Sequence, residues 1–388
     1  MSIAKVEIVE ENGNVGGVVA TSDGVAGLIL SGVSVTGKIQ DNTPIQVFSL
    51  EAAVDGGITK TGLNAFAYKS VKAFYDVAGS GSELWIMVTS GSHGDLFDPS
   101  TPAAQAMVNA ANSKLRLLGV SLEFDEELDT SIERGIVQDV FRAIPMAHNF
   151  AQTNTQGIKP LVVMLDAKGW TGVVADLEDL KTRTDNHVQV LLGATDTEQN
   201  AAIGLAVGYS AILPVQRKKS RVKNGSIPNS ETYFTDGSTT ESREAEWDAL
   251  CDRGYVFFMT RQGKSGYFFT SDQTATSNTD DYYLLPRRRI MNKAIELAYA
   301  VYVNELDDEI PVEDDGTIDR GYAKYLEGLM NNQLAQGMIA LGEVSNARTE
   351  IDTTTNIVLT NKTMVKVSIL PVAYGETIEA TVGFTAAL

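Results

Sequence analysis

From residue 45 to residue 212 the sequence keeps changing its hydrophobic period. Strand-length apolar runs at 45–49 (IQVFS), 84–88 (LWIMV), 120–124 (VSLEF), 160–167 (PLVVMLDA) and 187–192 (HVQVLL) alternate with stretches of helical spacing. A strand covered on both faces by crossover helices is apolar throughout, so the rhythm predicts an α/β layer with a mainly parallel sheet. The intervening helices carry their own signals. One holds Phe66, Val71, Phe74 and Ala78 on a single face; the next opens with Thr101 as N-cap and Pro102 at the first helical position, and closes at Gly119. A third begins with the capping-box pair Thr130 and Glu133 and reaches at least Ile144 before Pro145. Two more are expected around 173–182 and, rich in small residues, around 198–212.

Residues 214–240 break the rhythm. Pro214, Pro228 and a basic cluster of Arg217, Lys218, Lys219, Arg221 and Lys223 read as an exposed loop. Beyond it come a helix at 241–253, two aromatic strands (YVFFMT and GYFFTS) joined by RQGKS, and two long helices, Arg287 to about Leu306 and about Ile318 to Leu341. The second helix has a buried stripe of Tyr322, Leu326, Met330, Leu334, Met338 and Leu341. Between the helices, Glu305–Asp319 contains eight carboxylates and no base. Strand-like segments at 354–360, 363–370 and 376–384 end the chain. The expected organisation is therefore an N-terminal arm and hinge (1–20), an α/β domain (21–254), a mixed α+β core with two long helices (255–370) and a C-terminal arm strand (371–388).

Composition removes several function classes. With 31 basic and 50 acidic residues the chain has a formal charge of -19, which repels phosphate backbones, so nucleic-acid binding is not expected. The single cysteine, Cys251, cannot form an internal disulfide and sits beside Trp247 and Leu250 on a helical pattern, where packing is its role. His93, His148 and His187 lie too far apart for a local metal site. No apolar stretch approaches a membrane span and the start lacks an apolar leader, giving the expectation of a soluble protein made in the cytoplasm, without membrane insertion.

Catalytic motifs fare no better. QGKS at 262–265 lacks the earlier glycine of a phosphate-binding loop, since position 258 is Phe, and reads as a hairpin turn. EDDGTID at 313–319 fails as a calcium loop because Pro311 and Tyr322 occupy ligand positions. Ser92-His93 lacks an oriented third group, and Asp280-Asp281 reads as a solvated loop cap. No catalytic residue, cofactor or metal is expected.

What is distinctive lies at the ends. Ile378, Ala380, Val382 and Phe384 alternate with polar or small residues in a period-two strand, and Ala4, Val6 and Ile8 form a shorter one before the hinge NGNVGG. Such strands pair either within their own subunit or, as donated arms, with a neighbouring copy.

Taken together, DDYYLLPRRRIMNKAIELAYAVYVNELDDEIPV, GTIDRGYAKYLEGLMNNQLAQGMI, VKVSILPVAYGETIEATVGF and the opening VEIVEENGNVGGVVATSDGVAGLILSG resemble contractile tail sheath proteins of bacteriophages and phage-tail-like injection particles. The likeness is clearest from Tyr255 onward; residues 55–250 match only as an α/β pattern. It implies a structural, non-enzymatic subunit of homo-hexameric rings stacked as a helical sheath in a virion tail or injection particle, assembled in the bacterial cytoplasm. Implied partners are further copies, an inner tail tube protein, and baseplate and terminator proteins. By the same resemblance Ala4, Val6, Ile8, Ile378, Ala380, Val382 and Phe384 would be arm contacts, and Lys324, Glu327 and Asn331 on the 318–341 helix would face the tube or simply solvent. The basic loop at 217–223 and the acidic connector at 305–319 would meet between subunits or stay solvated. Another homopolymeric shell or tube component, or an α/β enzyme with an unrecognised site, remains as an alternative.

Overall fold

A computed structural model describes residues 22–384. The chain divides into two compact units, the larger comprising Ser22–Glu296, Glu343–Ser345 and the segment from Leu370 onward. Its centre is a sheet of β1 (Ala26–Ser31), β2 (Ile45–Val47), β3 (Leu84–Thr89), β4 (Leu117–Ser121), β5 (Val162–Asp166) and β6 (Val188–Leu191), in the order β2-β3-β1-β4-β5-β6. Only β2 is antiparallel to its neighbour; β1 lies in the middle, with Ala26 opposite Leu84 on one side and Leu117 on the other.

Successive residues of each strand feed two cores. Ile29, Met87, Leu118 and Val163 pack with α2 (Gln105–Ala110) and α3 (Gln138–Gln156). Leu28, Leu30, Ile86 and Val162 pack with α1 (Ala65–Ala78) and α4 (Ile203–Ile212). The unit is thus a three-layer, doubly wound α/β fold. Helix α4 is apolar on nearly every side, and its glycines face α1: a Cβ at Gly204 would lie 1.9 Å from Ser70 O, and one at Gly208 2.9 Å from Phe74 O. Only glycine lets these two backbones approach so closely.

Several local expectations are overturned. The run Ala26–Ser31, which lies before the alternation that begins at residue 45, supplies the central strand. The helix expected over 101–119 is limited to Gln105–Ala110, and Gly119 lies inside β4, where a Cβ would meet Ile203, Val207 and Leu28 at 2.6–2.8 Å. Thr130 and Glu133 do not cap a helix; Ile132–Glu133 pairs with Ile136–Val137, and α3 begins at Gln138 and carries Pro145 in its interior. The buried face from Val140 to Ala151 holds α3 together past the missing donor. Residues 173–182 form two 3-10 turns, Val174–Asp176 and Leu180–Thr182, rather than a helix.

The hairpin of β7 (Phe258–Arg261) and β8 (Lys264–Phe269), turning at Gly263 with φ +75°, follows α5 (Trp247–Asp252). It is no part of a separate domain starting at 255: Val256 N donates to Val190 O, Leu192 N donates to Val256 O, and Phe257 and Phe258 fill the two cores. The loop at 214–240 is not exposed throughout either. Lys219 is buried against Asp272 at 2.9 Å, and Thr232, Phe234 and Thr235 are buried.

The smaller unit takes Leu297–Gly342 and Asn346–Ile369. Helix α6 (Leu285–Tyr302) gives its first residues, to Glu296, to the larger unit and its remainder to this one. Asp319 caps α7 (Arg320–Leu334), accepting from Tyr322 N at 2.8 Å, and a π-helical turn, Ala335–Ile339, extends it. Strands β9 (Val344–Ile351) and β10 (Val365–Pro371) pair with each other. Ile318, Ala323, Leu326, Ile351 and Ile357 form a small core. The expected strand at 354–360 is instead a helical turn, Ile357–Thr360, capped by Asn356, and β9 was not anticipated. Leu341, placed in the buried stripe of α7, is 60 % exposed because the helix has ended before it.

Candidate assembly surface

The chain after β10 is extended and unpaired. Pro371 O accepts from Ser345 Oγ at 3.1 Å, which fixes the end of the strand. Three residues on, Tyr374 donates its hydroxyl to Gln216 O at 2.6 Å, and Lys218 reaches Glu376 at 2.7 Å while lying over the Tyr374 ring. From Thr377 to Phe384 no strand forms and every residue is exposed. Ile378 and Val382 are 86 % and 94 % exposed, Phe384 fully so, and Ala380 is exposed with them. A backbone with free N–H and C=O groups beside an apolar stripe is a strand without a partner among the described residues. Ala4, Val6 and Ile8 lie outside the described residues.

Helix α7 does not offer the polar face expected of it. Glu327 accepts from Ile351 N at 3.1 Å and Asn331 accepts from Thr349 N at 2.9 Å, so both hold the edge of β9. Lys324 alone of the three points to solvent, and its ammonium is 2.5 Å from Glu327. The exposed side of α7 is lined by Arg320, Lys324, Tyr325 and Asn332. Beside α7, within the smaller unit, a groove of about 720 Å³ is bordered by Leu306, Val312, Tyr322, Val358 and Val365, with Glu305, Asp307 and Asp308 at its rim. The acidic connector therefore frames this groove. Of the basic loop's lysines, Lys218 and Lys219 find carboxylates inside the larger unit, at Glu376 and Asp272.

Titratable groups are built into the fold of the larger unit. Asp166, at the end of β5, is fully buried; it accepts from Ser121 Oγ, Asn200 Nδ2 and Ala201 N, and burial, only partly opposed by those bonds, raises its carboxyl to about 6. His187 donates Nδ1–H to Leu161 O and accepts from Arg288 at Nε2; burial and then the Arg288 charge push the imidazole down to about 3. His93 donates to Asp139 at 2.7 Å, and although burial opposes it, that bond and charge hold Asp139 at about 2. Neighbouring Ser92 is committed to Asp95 as a helix cap. At the switch point between β1 and β4, where doubly wound folds place ligands, a cleft of about 400 Å³ contains Lys69 and the carboxylates Glu123, Glu126 and Glu198. Lys69 is paired with Glu198, and Glu123 is raised by burial and by the Glu198 charge, which is an arrangement that repels anionic ligands.

Sequence reasoning found the terminal stripe through its period of two. It missed Tyr374 and Glu376, and the contact of Glu376 with Lys218 of the basic cluster, because the partners lie 158 residues apart in the chain.

Comparison with known proteins agrees with this architecture. No curated protein sequence matches the chain. Among solved structures, the anti-feeding prophage (AFP) helical sheath in its contracted state superposes with a TM-score of 0.66 at 13 % identity, covering 100 % of this chain and 99 % of that one. The contracted sheath complex of PVC, an extracellular contractile injection system, gives 0.64 at 13 % identity, with 100 % and 99 % covered. A sheath tail protein from Desulfitobacterium hafniense gives 0.53 at 9 % identity, over 95 % and 100 %. Residues 3–273 match DUF2586, N-terminal domain, and residues 281–388 match DUF2586, C-terminal domain. With the fold of contractile sheath subunits and both family domains matched in order, the chain belongs to the DUF2586 family.

Proposed function

We propose that this protein is the structural subunit of a contractile sheath, polymerising helically around an inner tube in stacked hexameric rings and shortening to drive the tube through a cell envelope. The observation that carries the reading is the unpaired tail: residues 377–384 expose an alternating apolar stripe and a full set of backbone donors and acceptors, on a chain whose larger unit is otherwise well packed. Strand addition to a neighbouring copy would satisfy both at once. Ile378, Ala380, Val382 and Phe384 would be the donated contacts, together with Ala4, Val6 and Ile8 at the other end. Mechanical work would come from a two-state rearrangement of subunit interfaces formed at assembly, which requires no cofactor. The partners would be further copies, the tube, a baseplate and a terminator, in a phage tail or injection particle. No helix among the described residues is long and apolar enough to cross a membrane.

Deleting residues 377–388, which leaves Glu376 and its Lys218 contact in place, tests the proposal. The truncated protein should keep the thermal unfolding of the full chain yet form no sleeves by negative-stain microscopy, with or without tube protein. Unchanged sleeve formation by the truncated protein would refute strand donation.

A further inference from the structure

The larger unit holds the first described residues and the base of the tail in one place. On the N-terminal side, Ser22 Oγ donates to Glu296 at 3.0 Å, and Lys293 binds Asp23 at 2.8 Å and Glu343 at 2.7 Å. Arg116 locks Glu296 from beneath at 2.8 Å. On the C-terminal side stand the Tyr374–Gln216 and Glu376–Lys218 contacts. Arg289 joins the two sides: its Nη2 donates both to Asp23 O at 3.3 Å and to Leu213 O at 3.2 Å, three residues before Gln216. The short loop between is itself fixed, because Lys219 is buried against Asp272 and Gln189.

Arg289 is buried, and its guanidinium, lowered to about 10 by that burial, still feels Asp23, Asp272, Glu343 and Tyr374. Asp23, Arg116, Val215, Arg289, Asn292 and Lys293 close around a void of about 10 Å³, too small for more than one water. Buried ion pairs of this kind add little net stability compared with apolar packing, but breaking one leaves a stranded charge and is costly. The block is therefore suited to stay whole or to fail together.

We infer that the two chain ends share one anchoring block, centred on Arg289 and Lys293, so that tension on one arm passes to the other through residues 213–219 and the start of α6. The inference rests on the sheath reading for its purpose, since arms that link neighbours must carry force while subunits move. It rests on the contacts above for its geometry.

Single-molecule pulling on the full chain tests it, with handles on Ser2→Cys and Ala386→Cys in a Cys251→Ser background. Both roots should open in one rip before the α/β unit unfolds. Tyr374→Phe and Lys293→Met should each lower the force of that same rip by about half, and the double variant should lower that one rip at least as far as the weaker single, because both contacts contribute to opening one cooperative unit. Two separate rips, each moved only by its own variant, would overturn the shared anchor. Should Lys293→Met fail to fold, the number of rips in the parent and the response to Tyr374→Phe still decide. Whether the parent forms sleeves in negative stain is a separate reading: their absence would sink the sheath proposal and leave the pulling result standing.

Discussion

The two ends of the molecule's length differ in how much they finish on their own. Residues 22–296 expose eight large hydrophobic side chains, whereas the 88 residues from Leu297 to Phe384 expose fourteen. The first region closes a sheet between two helical layers and buries both faces of nearly every strand. The second buries eleven apolar side chains among the described residues and has, beside them, a two-stranded sheet and a bare tail. A region with so little interior cannot hide its apolar surface alone. The contrast separates a region that covers its own apolar surface from one that leaves much of it open.

Substitutions should respect this division, and the largest effect belongs to the self-contained region. Gly204→Val forces a side chain into the α1 backbone and should cost about 4 kcal/mol or more, seen as a collapse of the thermal midpoint or loss of soluble protein. A variant with normal stability would show that the α1–α4 contact is looser than the 1.9 Å approach implies.

Next come two buried groups with opposite pH signatures. His187 stays neutral in the fold, so between about 6.5 and 3 the unfolded chain takes up a proton that the folded chain refuses, and stability falls as pH drops. Asp166 keeps its proton in the fold up to about 6, so between 6 and 3.8 the folded chain holds a proton the unfolded chain has lost, and stability rises as pH drops. Urea midpoints from pH 7 to pH 4 should therefore steepen their acid decline in Asp166→Asn and flatten or reverse it in His187→Gln, each by about 2 kcal/mol across the window. Parallel curves for all three proteins would remove both assignments.

Effects in the smaller unit should be local. Glu327→Ala or Asn331→Ala leaves a strand-edge amide without its side-chain acceptor and should cost about 1 kcal/mol, speeding hydrogen exchange at Ile351 or Thr349 roughly fivefold while the α/β sheet stays protected. If exchange quickened across the six-stranded sheet as well, the two regions would be one cooperative unit. The smallest effect on stability, within about 0.5 kcal/mol, belongs to Phe384→Ser, whose ring is fully exposed among the described residues, yet this variant should assemble least.

The parallel sheet was legible because strands buried on two sides have to be continuously apolar, and LWIMV or PLVVMLDA offers no other reading. Strand β9 was not, since VSNARTEI mixes polar and apolar residues and depends on carboxylate and amide groups reaching over from α7. Gly119 looked like a helix stop because its real reason, the closeness of Ile203 and Val207, is a tertiary fact. Pro145 looked like a terminator because the buried face that carries α3 past it cannot be seen in a local window. Of the candidate surface, the tail stripe was visible in its period; its root was not, because hydrogen bonds spanning 158 residues leave no local pattern.

The bare tail also has a cost for the unassembled protein. Between Thr377 and Phe384 the only charge is Glu379, so the stretch has the low charge and high strand propensity of segments that seed cross-β aggregates. On the proposed strand donation, each newly made copy would carry that hazard until a growing end consumed it. Production in step with elongation would keep the free pool dilute, and an excess of subunits without a starting template would precipitate rather than wait.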